Sequence, residues 1–192
     1  MRIESLKVLY DNVIESGLDE TKLENFLKTF NCEKNYDVED FLKNKAIRFH
    51  KSGLARTYLI INDNEEIVAY FTIAFKPIFY NNQIHKVSKS KYKKLNAREY
   101  TLRQNKKITV INSILIAQIG RNDIFSKNDI SLNEIISSIF EIVEQVRDLI
   151  GTRIVLIEVN NEPKLIELYE SLGFEYIGVQ DDLTQLYKLD LK

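Results

Sequence analysis

The sequence predicts a mixed α/β fold, in which a mostly antiparallel central sheet contains one parallel crossover and is flanked by helices. One observation is an Ile- and Val-rich stretch at 108–119, followed by an amphipathic helix and a second apolar stretch at 154–159. Two buried strands joined by a helix form a parallel crossover. The other is a pair of short apolar stretches on each side of this unit, which predicts hairpins. We therefore expect one domain over residues 1–192.

The elements before this crossover follow from apolar spacing and turn residues. Asp37 is a suitable N-cap for a helix, Gly53 follows that helix, and the polar run at 62–65 predicts a turn. The predicted elements are an edge strand at 2–9, a helix at 21–30, a helix from Val38 to His50, and strands at 57–61 and 67–75.

The elements after residue 107 have clearer end signals. Ser131 and Glu134 match the capping box, in which each side chain bonds the backbone N–H of the other residue. Gly151 ends that helix, Pro163 suits the first turn of another, and Gly173 suits its C-cap. The predicted elements are a strand at 108–119, helices at 132–150 and 163–172, and strands at 154–159, 174–179 and 185–190.

Residues 76–107 form a basic segment inside an otherwise acidic chain. The segment holds ten Lys or Arg residues and one acidic residue, a net charge of +9, whereas the whole chain carries −1. Its best helical pattern is at 88–97. Such a charge asymmetry indicates an anionic partner, and the alternative is a solvated face.

The rare residue types exclude several classes of site. The chain has one cysteine, Cys32, and two histidines, His50 and His85, with no spaced partners. We expect Cys32 in the core and both histidines at the surface, with no metal site and no internal disulfide. The amino terminus lacks the apolar run of a signal peptide, and no stretch approaches the roughly 18 apolar residues that span a bilayer. We therefore expect a cytoplasmic protein without a membrane partner.

The segment from Asn161 to Phe174 carries the most informative motif. An Asn-led helix ends in Tyr-Glu-x-x-Gly-Phe, with the tyrosine at Tyr169. This pattern resembles a signature of the GNAT superfamily of N-acetyltransferases. The stretch 115–122 resembles the central strand of that family, and residues 30–59 resemble the branch that acetylates the amino group of aminoacyl-tRNA. The resemblance covers about 26–75 and 108–180, and implies a GNAT-like sheet.

The resemblance also implies acetyl-CoA as co-substrate and assigns a site. Tyr169 would be the general acid that protonates the departing thiolate, with a half-buried structural aromatic as the alternative. Ile119, Gly120 and Arg121 would bind the pantetheine arm through backbone groups, with the end of a core strand as the alternative. The other implied acetyl-CoA contacts are Lys127, Asn128, Ile130, Ser131, Leu132 and Asn161. Ser131 is a helix cap first and a phosphate contact second, whereas Asn161 can equally be a cap or a cofactor contact.

The stretch 126–132 departs from the family pattern. The pyrophosphate loop of the family usually reads (Gln/Arg)-x-x-Gly-x-(Gly/Ala), but this stretch contains no glycine. Glycine lets backbone N–H groups approach the phosphates. A helix amino terminus still favours an anion and Lys127 adds positive charge, whereas Asp129 and Glu134 oppose it. We therefore expect weak acetyl-CoA binding, an unusual loop path, or loss of catalysis.

These observations lead to two hypotheses on function. In the first, the protein transfers an acetyl group from acetyl-CoA to a primary amine, with aminoacyl-tRNA as a candidate acceptor; the sequence names no general base. In the second, it is a non-catalytic GNAT-fold module that binds RNA or protein through the basic segment. A homodimer is an alternative to a monomer.

Overall fold

The computed structural model describes residues 1–79, 98–101, 107–160, 162–179 and 184–190. In this part of the chain the strands are β1 (Arg2–Ser5), β2 (Arg56–Ile61), β3 (Ile67–Phe79), β4 (Arg98–Thr101), β5 (Lys107–Arg121), β6 (Ile154–Asn160), β7 (Glu175–Val179) and β8 (Thr184–Asp190). The helices are α1 (Leu6–Glu15), α2 (Thr21–Leu27), α3 (Tyr36–Asp40), α4 (Ala46–Lys51), α5 (Leu132–Ile150) and α6 (Pro163–Ser171). A π-helical segment, Phe41–Lys45, joins α3 to α4.

The chain forms two compact units, and β3, β5 and α5 each contribute to both. The first unit contains Met1–Ala74 and Ala117–Glu144, and the second contains Phe75–Ile116 and Gln145–Lys192. The prediction of one domain over residues 1–192 stays a prediction.

In the first unit, β1 and β2 are antiparallel, as are β2 and β3, and β5 lies beside β3. The predicted hairpin is confirmed, and its turn residue Glu65 has a φ of 62°. The core of this unit packs helical residues against strand residues. Its fully buried members include Leu6, Leu27, Phe30, Leu42, Leu59 and Tyr70. Because helices and strands share this core, burying their apolar faces fixes the helices on the sheet.

In the second unit, β5 and β6 are parallel, while β6–β8 and β7–β8 are antiparallel. The predicted crossover and carboxy-terminal hairpin are therefore confirmed. A short strand that the sequence pattern missed, β4, pairs with β5. The helix predicted at 88–97 lies outside the described residues.

The amino terminus differs from the prediction of a strand over 2–9. The chain leaves β1 after Ser5 and begins α1 at Leu6. The Ser5 side chain accepts a hydrogen bond from the Lys7 N–H (3.2 Å), and the Leu6 side chain is fully buried. An N-cap and an apolar anchor at this point favour a helix over further strand. The apolar alternation that predicted a strand up to residue 9 therefore includes residues that form the first turn of α1.

The helix predicted from Val38 to His50 begins earlier and is not regular. Its N-cap is Asn35 rather than Asp37, because the Asn35 side chain accepts from the Val38 N–H (3.4 Å). The Tyr70 hydroxyl donates to the Val38 carbonyl (2.5 Å), just before the π-helical segment. A side chain inserted into the i→i−4 pattern is a known cause of such an irregularity. Gly53, at φ 71°, follows the helix as predicted.

Candidate functional site

The carboxyl end of β5 has one free backbone edge. The parallel pairing with β6 runs from Ser113↔Ile154 to Ile116↔Ile157, but β5 continues to Arg121. Among the described residues, no strand continues this pairing beyond Ile116, and the neighbour of β5 on its other side is β3. The N–H and C=O groups on the free edge are therefore available for hydrogen bonds to a ligand. Ile119, Gly120 and Arg121 lie on this stretch.

Gly120 is required by packing. A Cβ atom at Gly120 would lie 2.6 Å from Val38 Cγ1, 2.9 Å from Tyr70 Cε1 and 3.0 Å from Phe30 Cζ. Carbon atoms in proteins do not approach so closely, so a larger residue would displace core side chains. The aromatic pair behind it, Phe30 and Tyr70, packs edge to face with centroids 5.1 Å apart. The missing side chain therefore lets β5 lie directly on the helical layer.

The Arg121 side chain connects the end of β5 to the following loop. Its Nη1 donates to the Ile130 carbonyl at 3.4 Å. The Ile130 N–H donates to the Ser126 carbonyl (3.3 Å), and its side chain is buried. The hydrogen bonds of Ile130 thus hold the loop together, whereas Lys127 and Asn128 are exposed.

Two carboxylates accept hydrogen bonds from backbone N–H groups in the loop 126–132, which takes the place of the glycine-rich pyrophosphate loop of the GNAT pattern. The Ser126 N–H and hydroxyl both donate to Asp129 Oδ2 (2.7 Å each). Likewise, the Ser131 N–H and hydroxyl both donate to Glu134 Oε2 (2.7 Å each), and the Glu134 N–H donates to Ser131 Oγ (3.2 Å). The predicted capping box is confirmed. These bonds from Ser126 and Ser131 hold the pKa values of Asp129 and Glu134 below their usual range, so both are ionised at neutral pH.

The start of α5 keeps two free donors. In the part of the chain that the structure describes, the backbone N–H groups of Leu132 and Asn133 have no acceptor. The first N–H groups of a helix favour an anion, because they point outward at the positive end of the helix dipole. This loop therefore combines free helical donors with two fixed negative charges.

Tyr169 lies in the second unit, near the carboxyl end of α6. Its ring packs edge to face on Phe174, with centroids 5.8 Å apart. Gly173, at φ 89°, lets the chain turn so that the Phe174 N–H donates to the Tyr169 carbonyl (3.0 Å). Burial raises the pKa of Tyr169, so its hydroxyl stays protonated in mildly alkaline solution. Asn161, the remaining predicted contact, lies outside the described residues.

Similarity to known proteins is visible in structure alone. No family model matches the chain, and no curated protein matches it. Similar solved structures include AtaT complexed with acetyl-methionyl-tRNAfMet, at 17% identity and TM-score 0.63, with 85% of this chain and 86% of that chain covered. The chain has the GNAT fold.

Two further structures with this GNAT fold are also similar. AtaTR bound with AcCoA is 18% identical with TM-score 0.60, and the alignment covers 84% of this chain and 86% of that chain. A tyrosine-to-phenylalanine mutant of KacT is 16% identical with TM-score 0.61, with 83% and 85% covered.

Sequence reasoning gave no role to Asn122, which the structure places at the centre of a polar cluster. Its side chain is 1% exposed, and it follows the last residue of β5. A buried amide needs hydrogen-bond partners, so a polar residue closing an Ile-rich strand was the available signal. The sequence pattern also did not reveal an ion pair between Lys76 and Glu158 in the second unit, where both side chains are half-buried.

In the described part of the chain, no group of three or more His, Cys, Asp or Glu side chains comes together in a way that could hold a metal ion. Cys32 is buried, as predicted, and burial raises the pKa of its thiol. The surface prediction for His50 was wrong, because His50 is half-buried with its ring 5.5 Å from that of Tyr10. His85 lies outside the described residues. No described helix is long and apolar enough to cross a membrane.

Proposed function

We propose that this protein is an acetyl-CoA-dependent N-acetyltransferase that acts on a primary amine. The observation that carries the proposal is the free edge of β5, where pairing with β6 ends at Ile116 while the strand continues to Arg121. Strand ends of this kind, followed by a helix amino terminus, recur as ligand sites in α/β sheets. The fold shared with AtaTR bound with AcCoA supports acetyl-CoA as the donor.

In this proposal the donor is held at two places in the first unit. Backbone groups of Ile119, Gly120 and Arg121 bind the pantetheine arm. The pyrophosphate is held by the loop and the start of α5, through the free N–H groups of Leu132 and Asn133 and the exposed Lys127. The other contacts, Asn128, Ile130, Ser131 and Asn161, stay predictions.

The proposed reaction is direct transfer. The amine nitrogen attacks the thioester carbonyl carbon, whose oxygen is polarised by a backbone N–H of β5. The C–N bond forms and the C–S bond breaks. Tyr169 donates its hydroxyl proton to the departing thiolate. The amine enters neutral, becomes positively charged on attack and then loses one N–H proton to water. A proton from water restores the Tyr169 hydroxyl, so the proposal assigns no general base.

For the acceptor, we propose the α-amino group of an aminoacyl-tRNA. The basic segment carries +9, and AtaT, a similar structure, was solved with acetyl-methionyl-tRNAfMet. Most of this segment lies outside the described residues, so its charge is the supporting observation. Lysine and arginine side chains bind nucleic-acid phosphates without reading the base sequence.

A second function is favoured by one observation, the ionised carboxylates of Asp129 and Glu134 on the loop donors. If these charges prevent donor binding, the protein would be a non-catalytic module that binds RNA or protein through the basic segment.

Titration calorimetry with acetyl-CoA and with CoA separates the two functions. The enzyme proposal expects saturable binding and a melting temperature that rises with ligand concentration, since ligands that bind only the folded state stabilise it. Transfer of a radiolabelled acetyl group to charged tRNA, with uncharged tRNA as control, tests the acceptor. Absence of both heat and a melting shift at millimolar acetyl-CoA would overturn the enzyme proposal, whereas binding without transfer to charged tRNA would overturn only the acceptor.

A further inference from the structure

A polar clamp holds the end of β5 where β6 no longer supports it. The clamp consists of Asn122 and Asp123 on one side and the loop Asn31–Glu33 on the other. Asn122 is its centre: its Nδ2 donates to the Ile67 carbonyl (2.8 Å), and its Oδ1 accepts from the Asn31 N–H (3.2 Å) and the Ile124 N–H (3.4 Å). One buried amide therefore joins the strand end to β3 and to the clamp loop.

Asp123 bonds the same loop from the next position. Its N–H donates to the Asn31 carbonyl (2.8 Å), and its carboxylate accepts from the Glu33 N–H (2.7 Å). The Asn122 N–H adds a bond to the Val68 carbonyl (2.9 Å). Each residue of the pair thus contributes both a backbone and a side-chain bond.

The far side of the clamp loop is fixed to α3 and to the π-helical segment that follows it. The Cys32 N–H donates to Glu39 Oε2 (2.6 Å), and Lys43 Nζ donates to Glu39 Oε1 (2.7 Å) and Asn31 Oδ1 (3.1 Å). The N–H groups of Asn31, Cys32 and Glu33 are therefore all bonded to side chains. A loop held at three consecutive amides is a rigid support for the strand it contacts.

The position of this support matters for the free edge of β5. Phe30, directly before the loop, packs at the place where Gly120 has no side chain. A strand paired on one edge only is free to twist or fray at its end, because half of its ladder bonds are missing. The clamp supplies the constraint that β6 gives to the earlier part of β5.

We infer that Asn122 is a positioning residue, which orients the backbone of Ile119–Arg121 for the acetyl-CoA thioester. The inference rests on the proposed function. Asn122 itself does not touch the donor, because its side chain is buried and both its Nδ2 and its Oδ1 form hydrogen bonds in the clamp. Donors aimed at a reacting group are effective only when their position is fixed beforehand, and small misplacements reduce rates strongly.

The test compares Asn122→Ser with Leu27→Ala by titration calorimetry with acetyl-CoA. Leu27→Ala opens a cavity in the same core without touching the clamp, and therefore controls for lost stability. We expect Asn122→Ser to raise the Kd for acetyl-CoA about tenfold at unchanged stoichiometry. Every folded molecule would hold its donor-binding backbone groups in a less favourable position, so all of them would bind more weakly. A purely structural role would instead lower the stoichiometry and leave the Kd within about twofold, as in the control, and that result would overturn the inference.

A second variant and a second measurement keep the test decisive. Asp123→Ala, at an exposed position, removes only the acceptor of the Glu33 N–H and replaces Asn122→Ser if that variant does not fold. Residue-resolved amide hydrogen exchange should show faster exchange over residues 117–123 in either clamp variant and not in Leu27→Ala. Unchanged exchange there would refute the clamp. If the wild-type protein bound no acetyl-CoA, the proposed function would fail, and the exchange measurement would still decide whether Asn122 fixes the strand end.

Discussion

At the scale of single residues, Tyr169 combines the properties that a proton donor needs. Its hydroxyl has no acceptor among the described residues, and burial keeps it protonated by raising its pKa. The packing on Phe174 limits the positions that the ring can take. The motif that suggested Tyr169 from sequence therefore also fixes its local geometry, through the Gly173 turn.

We expect Tyr169→Phe to lower kcat about 10²- to 10⁴-fold, the usual contribution of a positioned acid, while the Kd for acetyl-CoA stays within about twofold. Steady-state kinetics with a radiolabelled donor and calorimetry measure the two quantities. Tyr36→Phe is the matched control, since Tyr36 is 73% exposed. Full activity in the Tyr169 variant would make this residue structural.

The pH dependence of kcat follows from the same shift. In the proposed reaction the protonated hydroxyl of Tyr169 is the active form, and its raised pKa moves deprotonation to more alkaline solution. We therefore expect no loss of kcat as the pH rises to about 10, the usual pKa of tyrosine, and a decrease only above it. A kcat that falls between pH 7 and 9 in the wild-type protein, and not in Tyr169→Phe, would contradict this assignment.

At position 120, the packing requires a glycine. We expect Gly120→Ala to lower the free energy of unfolding by about 1–3 kcal/mol, because the new Cβ overlaps Val38 and Tyr70. Urea denaturation measures this change. Adding Val38→Ala removes the nearest overlapping atom and should recover part of the loss relative to Val38→Ala alone. Additive effects of the two substitutions would show that the contact is absent.

At the scale of elements, the loop before α5 carries negative charges that oppose the anionic ligand favoured by the amino terminus of α5. Asp129 and Glu134 accept the bonds that a phosphate oxygen would accept from Ser126 and Ser131. A helix amino terminus with a free N–H at Leu132 attracts an anion, and the two carboxylates repel the same anion. The loop should therefore bind acetyl-CoA more weakly than a glycine-rich loop would.

Because these two carboxylates repel an anion, removing their charges should raise the affinity for acetyl-CoA. Asp129→Asn and Glu134→Gln keep the hydrogen-bond acceptors but remove the charges, and Gln preserves the capping box. Each should lower the Kd for acetyl-CoA a few-fold, and salt should reduce the gain because it screens exposed charges. Calorimetry at two salt concentrations measures it, with the exposed Glu141→Gln on the same helix as control. Weaker binding in both loop variants would show that the carboxylates help to hold the donor.

At the scale of the whole molecule, charge is distributed unevenly along the chain. The basic segment carries +9, whereas residues 1–75 carry −3 and residues 108–192 carry −7. Such a distribution steers an anionic partner towards one region while the remainder repels it. For the proposed tRNA acceptor, it therefore favours a single mode of encounter.

We expect bulk tRNA to bind with an affinity that falls steeply with salt, because neutralised phosphates release counterions. Replacing Lys91, Lys93 and Lys94 with alanine should weaken binding and reduce the slope of log K against log[salt] by roughly 2–3, about one per lost contact. Fluorescence anisotropy across a salt series measures the slope. The control replaces Lys22, Lys28 and Lys34, an equal charge change outside the segment. An equal loss in both triple variants would indicate nonspecific charge attraction instead.

The sequence by itself determined the elements whose signals are local. The capping box at Ser131, the stop at Gly151 and the turn at Gly173 depend on residues within a few positions, and the structure has them where the pattern predicts. The type and order of most strands and helices from β2 onward followed from apolar periodicity, because burial of one face of each element decides its type, whereas the GNAT-like arrangement of the sheet was implied by the resemblance.

Only the tertiary structure decided the features that depend on distant residues. The irregular helix arises from Tyr70, 32 positions beyond Val38, and the clamp joins Asn31 to Asn122 across 91 positions. The pairing of β5 with β6 ends at Ile116, although β5 itself continues to Arg121 without a break in its sequence pattern. Hydrogen bonds of this kind leave no periodic trace in the chain, because their partners are brought together by the packing of other elements.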